Sequence, residues 1–305
     1  METRKPYRAG YAALVGAPNA GKSSLVNALL KEKAAAVSSK PQTTRNAVRC
    51  ILTTEDCQIV IVDTPGIHKP KMALGEFMMR ETDSAMESVD VVCFVTEAGR
   101  ELGDAGEEIY SRLEHLRIPI VLAVNKIDLL RDKEDFWRYL ETVQERVKPD
   151  AVVPVSALKE TNLDVLRDEL ARRLPEGEII YPEDVLIDAT ERFLAEEIIR
   201  EHIFESTEQE VPHSAAVIVE EFKTPAEYPK LRRAEIRADI IVERPGQKGI
   251  LIGAGGSRLK EIGRASRLDL ESRLGCPVNL SLWVKVKPQW RKSAVGVERA
   301  GYRRA

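Results

Sequence analysis

Cysteines are few in this 305-residue sequence, and they lie far apart. None of the four belongs to a CxxC pair or to a histidine cluster; they are Cys50, Cys57, Cys93 and Cys276. This spacing supports neither a zinc site nor a disulfide framework, and it is typical of proteins in a reducing compartment. We therefore expect a cytoplasmic protein.

Long apolar runs are also missing. No segment approaches the roughly 18 consecutive apolar residues of a membrane-spanning helix, and Gly16 and Pro18 interrupt the apolar run near the N-terminus. The sequence therefore predicts neither secretion nor membrane insertion. Its composition, 43% hydrophobic and 31% charged, predicts a folded protein, and its length suits two domains.

The net charge is small because two opposite charges cancel. The whole chain has a formal charge of −3, yet from His213 onward 19 lysines and arginines outnumber 10 carboxylates. The second part therefore carries +9 and the first −12. A basic second part favours an anionic partner there, either a nucleic acid or a membrane surface.

Apolar and amphipathic segments alternate along the first part of the chain. Strands are predicted at 11–15, 58–62, 89–95, 118–124 and 151–155, and helices at 22–30, 74–88, 105–116, 133–147 and 163–174. The alternation predicts an α/β domain with a mainly parallel sheet, and a phosphate-loop motif at residues 16–23 makes it a P-loop NTPase (Ras-like) domain.

The second part reads as a smaller α+β domain. A helix is predicted at 184–206, strands at 215–223 and 235–242, helices at 248–252 and 257–274, and a strand at 277–287. We place a nucleotide-binding domain at 1–178, a linker at 179–185, the second domain at 186–288 and a basic tail at 289–305.

A phosphate-binding loop follows the first predicted strand. The pattern GxxxxGK[ST] is met by Gly16, Ala17, Pro18, Asn19, Ala20, Gly21, Lys22 and Ser23. Amides at such a helix start bind phosphate, the lysine contacts the β- and γ-phosphates, and the serine hydroxyl suits Mg²⁺. We expect Lys22 to be catalytic.

A second phosphate motif ends the second predicted strand, and it consists of Asp63, Thr64, Pro65 and Gly66. Asp63 is expected to hold Mg²⁺ through water, and the Gly66 amide to meet the γ-phosphate. Ras-like enzymes next have a glutamine that orients the attacking water, but here Ile67 stands there. Asn19 and the main chain of the switch segment are the candidate substitutes, and we expect slow hydrolysis that a partner or a second cation raises.

The switch segment is the polar stretch 40–46 between these two motifs. A threonine here would contact Mg²⁺ and the γ-phosphate and release both after hydrolysis. We favour Thr44 over Thr43 for this role. An exposed polar loop without a function is the alternative.

A third motif selects the base. Asn125, Lys126 and Asp128 form NKxD at the end of a predicted strand, at the edge where such sheets bind ligands. A carboxylate accepts two hydrogen bonds from guanine, whereas adenine lacks that donor pair. A last loop would complete the pocket from its main chain; it consists of Ser156, Ala157 and Leu158. GTP and GDP are therefore the expected ligands.

A glycine-rich turn joins two predicted helices in the basic part, and it consists of Gly253, Ala254, Gly255 and Gly256. Such a GxxG turn is the clamp that KH domains close on single-stranded nucleic acid, and the element order is that of a type II KH domain. With Arg258 and Lys260 on the following helix, RNA binding is expected. Trp283 and Trp290 are candidates for base stacking, although a core or packing role is expected for Trp283.

Together these motifs resemble the Era family of bacterial GTPases. GAPNAGKS, KPQTTRN, DTPGIHKPK, NKID and SAL precede a basic GxxG domain, and the likeness covers nearly the whole chain. It implies a GTPase that binds small-subunit ribosomal RNA near its 3′ end and acts in assembly of the small ribosomal subunit. It also implies peripheral association with the inner face of the plasma membrane, and K⁺ held by Asn19. Many family members have a lysine inside GxxG, where this chain has Ala254 and Gly255.

Two other functions compete with this interpretation. One is a membrane-surface GTPase whose basic domain binds anionic lipid. The other is a P-loop kinase, which NKID and the lack of a lid-like arginine cluster oppose. We expect a monomer.

Overall fold

The computed structural model describes residues 6–37, 40, 42–101, 103–130 and 132–302 of the chain. These form two compact units, the first ending at Asp188 and the second running from Ala189 onward and also including residues 72–74. Within these ranges, every helix is too short or too polar to cross a membrane. Pro41 of the predicted switch segment and residues 303–305 of the predicted tail lie outside the described residues.

The first unit is built, in its described part, on a seven-stranded sheet flanked by helices. Its strands are β1 Arg8–Val15, β2 Val48–Thr53, β3 Cys57–Asp63, β4 Val91–Glu97, β5 Ile120–Asn125, β6 Ala151–Pro154 and β7 Ile187–Asp188. Its helices are α1 Lys22–Leu30, α2 Ala73–Glu87, α3 Asp104–Leu113, α4 Lys133–Val147 and α5 Leu163–Ala171.

The sheet is parallel except at one side. Its order is β6-β5-β4-β1-β3-β2-β7, and β2 runs antiparallel to both β3 and β7. Every residue of β3 and β5 is buried, as expected for apolar strands covered on both faces. The predicted mainly parallel α/β fold is confirmed, and the parallel strands bring the ends of β1, β3, β5 and β6 to one edge of the sheet.

The second unit has, in its described part, a three-stranded sheet of order β10-β9-β8. Its elements are α6 Glu191–Ser206, α7 Val211–Ser214, β8 Ala216–Lys223, β9 Ala234–Val242, α8 Pro245–Ile252, α9 Ser257–Leu274, β10 Val278–Val286 and α10 Ala294–Arg299. β9 pairs antiparallel with β8 and parallel with β10, and α6, α8 and α9 pack against strands of this sheet. This is the predicted type II KH order.

The division between the units lies later than the predicted boundaries at 178 and 186. Ile187 and Asp188 form β7, which pairs with Cys50 and Arg49 of β2 and so joins the first sheet. The helix expected from 184 begins only at Glu191, because Thr190 caps it by accepting a hydrogen bond from the Phe193 amide.

The predicted tail is packed against the second unit as far as residue 302. Trp290 is only 3% exposed, and its indole Nε1 donates to the Ser214 carbonyl at 3.0 Å. Its ring stacks on Tyr302 with centroids 5.8 Å apart. The prediction for Trp283 was wrong, because this side chain on β10 is 61% exposed.

Candidate functional site

The first motif, Gly16–Ser23, forms a tight loop between β1 and α1. A Cβ atom on Gly16 would lie 2.1 Å from the Val95 carbonyl oxygen, so only glycine fits there. Gly21 has a φ of 92° at the start of α1, and Asn19 has a φ of 64° at the exposed tip of the loop. This backbone has the form of a phosphate-binding loop, with the first amides of α1 at its base.

Lys22 is the buried cation of this loop. Its Nζ donates to the carbonyl oxygens of Gly16 at 3.1 Å and Ala17 at 3.2 Å. Burial lowers the pKa of Lys22 to about 8, and the nearby Asp63 carboxylate opposes that shift. An incoming phosphate anion would restore the charge balance of this buried ammonium.

Three oxygen-bearing side chains from three segments meet beside Lys22. The Ser23 hydroxyl donates to Asp63 Oδ2 at 2.7 Å and lies 2.9 Å from the Thr44 hydroxyl. Thr44 Oγ1 is in turn 3.4 Å from Asp63 Oδ2. Hard oxygen donors in one cluster fit Mg²⁺. Thr43 lies elsewhere, because its hydroxyl donates to the Lys40 carbonyl at 2.9 Å.

The second motif holds the loop after β3 against the phosphate loop. Thr64 is buried, and its hydroxyl donates to the Leu14 carbonyl at 2.6 Å. Pro65 accepts from Thr82 at 3.2 Å. Gly66 approaches the phosphate loop so closely that a Cβ atom would lie 2.7 Å from Pro18 Cα.

Ile67 points away from the phosphate loop. Its side chain is fully buried in the core of the first unit, and its amide donates to the Gly16 carbonyl at 3.0 Å. The residue that follows the second motif therefore has a packing role, and a different group must orient any water at this site.

The third motif connects the phosphate loop to the loop after β6 that is predicted to bind the base. Asn125 is buried, its Nδ2 donates to the Ala20 carbonyl at 2.9 Å, and its Oδ1 accepts from the Ala157 amide at 3.1 Å. Asp128 accepts from the Ser156 hydroxyl at 2.5 Å. These contacts place the carboxylate and the last loop side by side, with Leu158 of that loop exposed.

Sequence reasoning missed some residues of this site. Lys126 Nζ pairs with Glu97 Oε2 at 2.9 Å, which positions the lysine stem; Glu97 ends β4 at the same sheet edge, and that position was the available signal. Gln42 and His68 also contact each other, with their Nε2 atoms 3.0 Å apart. No pattern in the sequence indicates that pair.

The GxxG turn joins α8 to α9 with an open main chain. Gly253, Gly255 and Gly256 have φ values of 72°, 59° and 82°, which favour glycine. Nothing lies within 4 Å of a Cβ placed on Gly255 or Gly256, so a ligand backbone can approach this turn. Ala254 is exposed between them.

The two cations after the turn have different surroundings. Arg258 Nη1 donates to the Ile250 carbonyl at 2.9 Å, which fixes the side chain against α8. Lys260 is exposed on α9. The second unit thus presents exposed glycine backbone beside one fixed and one extended cation.

Comparisons with known proteins identify both parts of the chain. Residues 11–126 match the family described as 50S ribosome-binding GTPase, and residues 210–291 match the KH domain family. An Era variant from Aquifex aeolicus bound to GDP·AlF4⁻ is 40% identical, with a TM-score of 0.90 over 97% of this chain and 99% of that one. Era in complex with MgGDPNP and nucleotides 1506–1542 of 16S ribosomal RNA is 39% identical, with the same TM-score and coverage.

Proposed function

The chain belongs to the Era family of GTPases, and we propose that its GTP hydrolysis switches its affinity for the 3′ end of small-subunit ribosomal RNA during assembly of the small subunit. The identity of 40% over 97% of the chain makes the family membership, and with it GTPase activity, firm. The solved relatives hold GDP·AlF4⁻, MgGDPNP and 16S ribosomal RNA, and we assign the same classes of ligand to this chain.

The observation that carries the switch is the contact of Thr44 with Ser23 and Asp63. Thr44 belongs to a segment that joins α1 to β2, whereas Ser23 and Asp63 belong to the first and second motifs. A γ-phosphate and its Mg²⁺ would hold the threonine in this cluster, and loss of that phosphate would release the segment. The hydroxyl contact thus couples the nucleotide state to the segment that carries Thr44.

Ser23 and Thr44 would bind Mg²⁺ directly, and Asp63 through a water molecule. Bound there, the ion neutralises charge on the β- and γ-phosphates. Lys22 adds a buried positive charge beside the same phosphates, and the Gly66 amide is placed to donate to the γ-phosphate. The protein contributes position and electrostatic stabilisation, which are the main requirements of phosphoryl transfer.

Guanine is selected by Asp128. Its carboxylate is held by Ser156 and remains able to accept from the ring N–H and the exocyclic amine of guanine. Adenine would leave this carboxylate without those two donors, and that loss gives strong discrimination.

The RNA site we propose is the GxxG turn with Arg258 and Lys260. The exposed glycine backbone allows phosphates of a single strand to approach, and the +9 charge of the chain from His213 onward attracts them. Compared with family members that have a lysine in the turn, Ala254 and Gly255 provide one phosphate contact fewer.

Crosslinking the GDPNP-loaded and GDP-loaded protein to total cellular RNA tests this function. We expect contacts to map to the 3′ end of small-subunit RNA through peptides around Gly253–Lys260, and to differ between the two nucleotides. Crosslinks spread evenly over all RNA would contradict the proposal.

We also propose a monomeric protein in the cytoplasm that touches the inner membrane surface peripherally, and a K⁺ ion beside Asn19. The basic second unit supports contact with an anionic leaflet, and the exposed position of Asn19 at the cavity supports a second cation. Sedimentation with anionic vesicles, and GTPase rates in K⁺ against Na⁺, test these two points.

A further inference from the structure

Gln42 lies where a water-orienting group is needed. It lines the cavity formed with Asn19, Lys22, Thr44 and Gly66. Thr44, only two residues later, is fixed in the cluster with Ser23 and Asp63. The side chain of Gln42 is therefore anchored close to the phosphate-binding groups, on the same segment that responds to the γ-phosphate.

His68 holds this glutamine in place. Its Nδ1 is 3.0 Å from the Gly66 carbonyl oxygen, and its Nε2 is 3.0 Å from Gln42 Nε2. Gln42 itself has a φ of 66°, a left-handed conformation that a non-glycine residue adopts only when its surroundings favour it. The imidazole thus links the second motif to the switch segment.

The hydrogen-bond chemistry fixes which end of the amide is available. A carbonyl oxygen only accepts, so His68 Nδ1 donates to Gly66, and an amide nitrogen only donates, so His68 Nε2 is the acceptor for Gln42. Gln42 must donate its amide N–H to that nitrogen. The amide oxygen, Oε1, is then left to accept a hydrogen bond from a different donor.

We propose that Gln42 Oε1 orients the attacking water, and that His68 is the residue that positions Gln42. This inference rests on the proposed GTPase function. In the step itself, the water oxygen bonds to the γ-phosphorus while the bond from phosphorus to the β–γ bridging oxygen breaks. GDP leaves with that oxygen, and the water protons pass to the inorganic phosphate and to solvent. Gln42 accepts a hydrogen bond throughout and is chemically unchanged.

This arrangement explains how the protein can hydrolyse GTP with an isoleucine, Ile67, in place of a water-orienting glutamine. In Ras-like enzymes the residue after the second motif supplies the glutamine, but here that position is buried in the core. The water-orienting amide is instead the side chain of Gln42 on the switch segment. His68, the residue after Ile67, fixes the orientation of that amide. Because the segment carrying Gln42 also carries Thr44, the amide and the threonine would be placed together.

The test uses the full-length protein with the variants Gln42→Gly, Gln42→Ala, His68→Ala and the double variant Gln42→Gly/His68→Ala. The glycine variant removes the side chain and can adopt the positive φ of this position. Because glycine also adds main-chain freedom, the alanine variant controls for that effect. Gln144→Ala, an exposed change on α4, is the matched control. The measurements are kcat and KM for GTP, GDP affinity from a fluorescent nucleotide, and binding of GDP in the presence of aluminium fluoride.

Both Gln42 variants should lose about 100-fold in kcat, on the order of what one positioned hydrogen-bonding group contributes to a transition state. They should also lose the tighter binding of GDP that aluminium fluoride confers, while affinity for GDP alone stays within about twofold. His68→Ala should cost less than loss of Gln42, and it should add nothing in the Gln42→Gly background.

Two results would overturn the assignment. One is unchanged kcat in the Gln42 variants; the other is a loss of GDP affinity as large as the loss of kcat, which would indicate a structural role. Additive effects of the two changes would remove His68 from its positioning role. Absence of GTPase activity in the unmodified protein would instead contradict the proposed function, so the two failures are distinguishable.

Discussion

The side-chain amide of Asn125 donates a hydrogen bond to the main-chain carbonyl of Ala20 at 2.9 Å. The same side chain accepts from the Ala157 amide. One buried residue at the end of β5 therefore connects the phosphate loop to the loop 156–158, which is predicted to complete the base pocket, although 105 positions separate Asn125 from Ala20. Asn125 therefore holds together the segments that are predicted to bind the phosphates and the base of the nucleotide.

Asn125→Ala should weaken both nucleotide binding and the fold. It removes two hydrogen bonds and leaves main-chain groups without partners, each costing about 1–3 kcal/mol where buried. GDP affinity should fall at least about tenfold, since about 1.4 kcal/mol corresponds to a factor of ten. A fluorescent-nucleotide titration measures this, with exposed Asn279→Ala in the second unit as the control. Equal GDP affinity in the two variants would mean that the connection is not needed.

Thr44→Ala and Thr43→Ala should show which of these two neighbouring threonines contacts Mg²⁺ and the γ-phosphate. Only Thr44 lies in the cluster with Ser23 and Asp63, so its loss should weaken Mg²⁺-dependent GDPNP binding by roughly tenfold, about the value of one hydrogen bond to a charged group. GDP binding should change little, because the γ-phosphate contact is absent with GDP. Isothermal titration with both nucleotides provides the comparison. A larger GDPNP defect for Thr43→Ala would reverse the assignment.

Lys22→Met should abolish nucleotide binding and yet stabilise the nucleotide-free protein at neutral pH. Burial lowers the pKa of Lys22 from 10.5 to about 8. Below pH 8 the folded protein bears the cost of a buried charge, about 3 kcal/mol at 1.36 kcal/mol per pKa unit. Between pH 8 and 10.5 the unfolded chain binds the additional proton, so the free energy of unfolding rises with pH.

Urea unfolding of nucleotide-free protein at pH 7 and pH 10 tests whether the free energy of unfolding rises with pH in this way. The stability advantage of Lys22→Met over the unmodified protein should be largest at pH 7 and should shrink at pH 10. Exposed Lys159→Met serves as the control, with a difference that does not depend on pH. An advantage of Lys22→Met that stays constant between the two pH values would show that Lys22 does not have the lowered pKa.

Ala254→Lys should tighten RNA binding. The side chain is exposed in the GxxG turn, where a lysine adds one phosphate contact. For single strands, each neutralised phosphate adds about 0.7 to the slope of log affinity against log salt. Fluorescence anisotropy at several salt concentrations should show that increase, whereas Ala254→Asp should weaken binding. A lysine that leaves the slope unchanged would indicate that RNA phosphates do not pass this turn.

Patterns within short stretches of the sequence were enough to predict much of the fold and of the nucleotide site. The helix Lys22–Leu30 has its predicted bounds, because the glycine-rich loop before it fixes where it begins. The motif residues also follow strands whose ends a parallel sheet brings to one edge. Buried apolar strands and phosphate loops leave strong signals within short stretches of sequence.

Contacts between distant segments left no such signal. Trp290 is buried because Ser214 accepts its indole N–H and Tyr302 stacks on its ring. The sequence around Trp290 is polar and basic, so it contains no apolar pattern that predicts this packing. Trp283 alternates with buried residues on β10, but no apolar layer covers it. Gln42 meets His68 only because two loops converge, which spacing along the chain does not indicate.

The most direct test of the switch is RNA binding measured in each nucleotide state. The full-length protein, loaded with GDPNP or GDP, is titrated against a labelled single strand from the 3′ end of small-subunit RNA, a scrambled strand of equal composition, and anionic vesicles. We predict tightest binding to the native strand in the GDPNP state. Equal affinity for native and scrambled RNA in both states, with tighter binding to vesicles, would contradict the account.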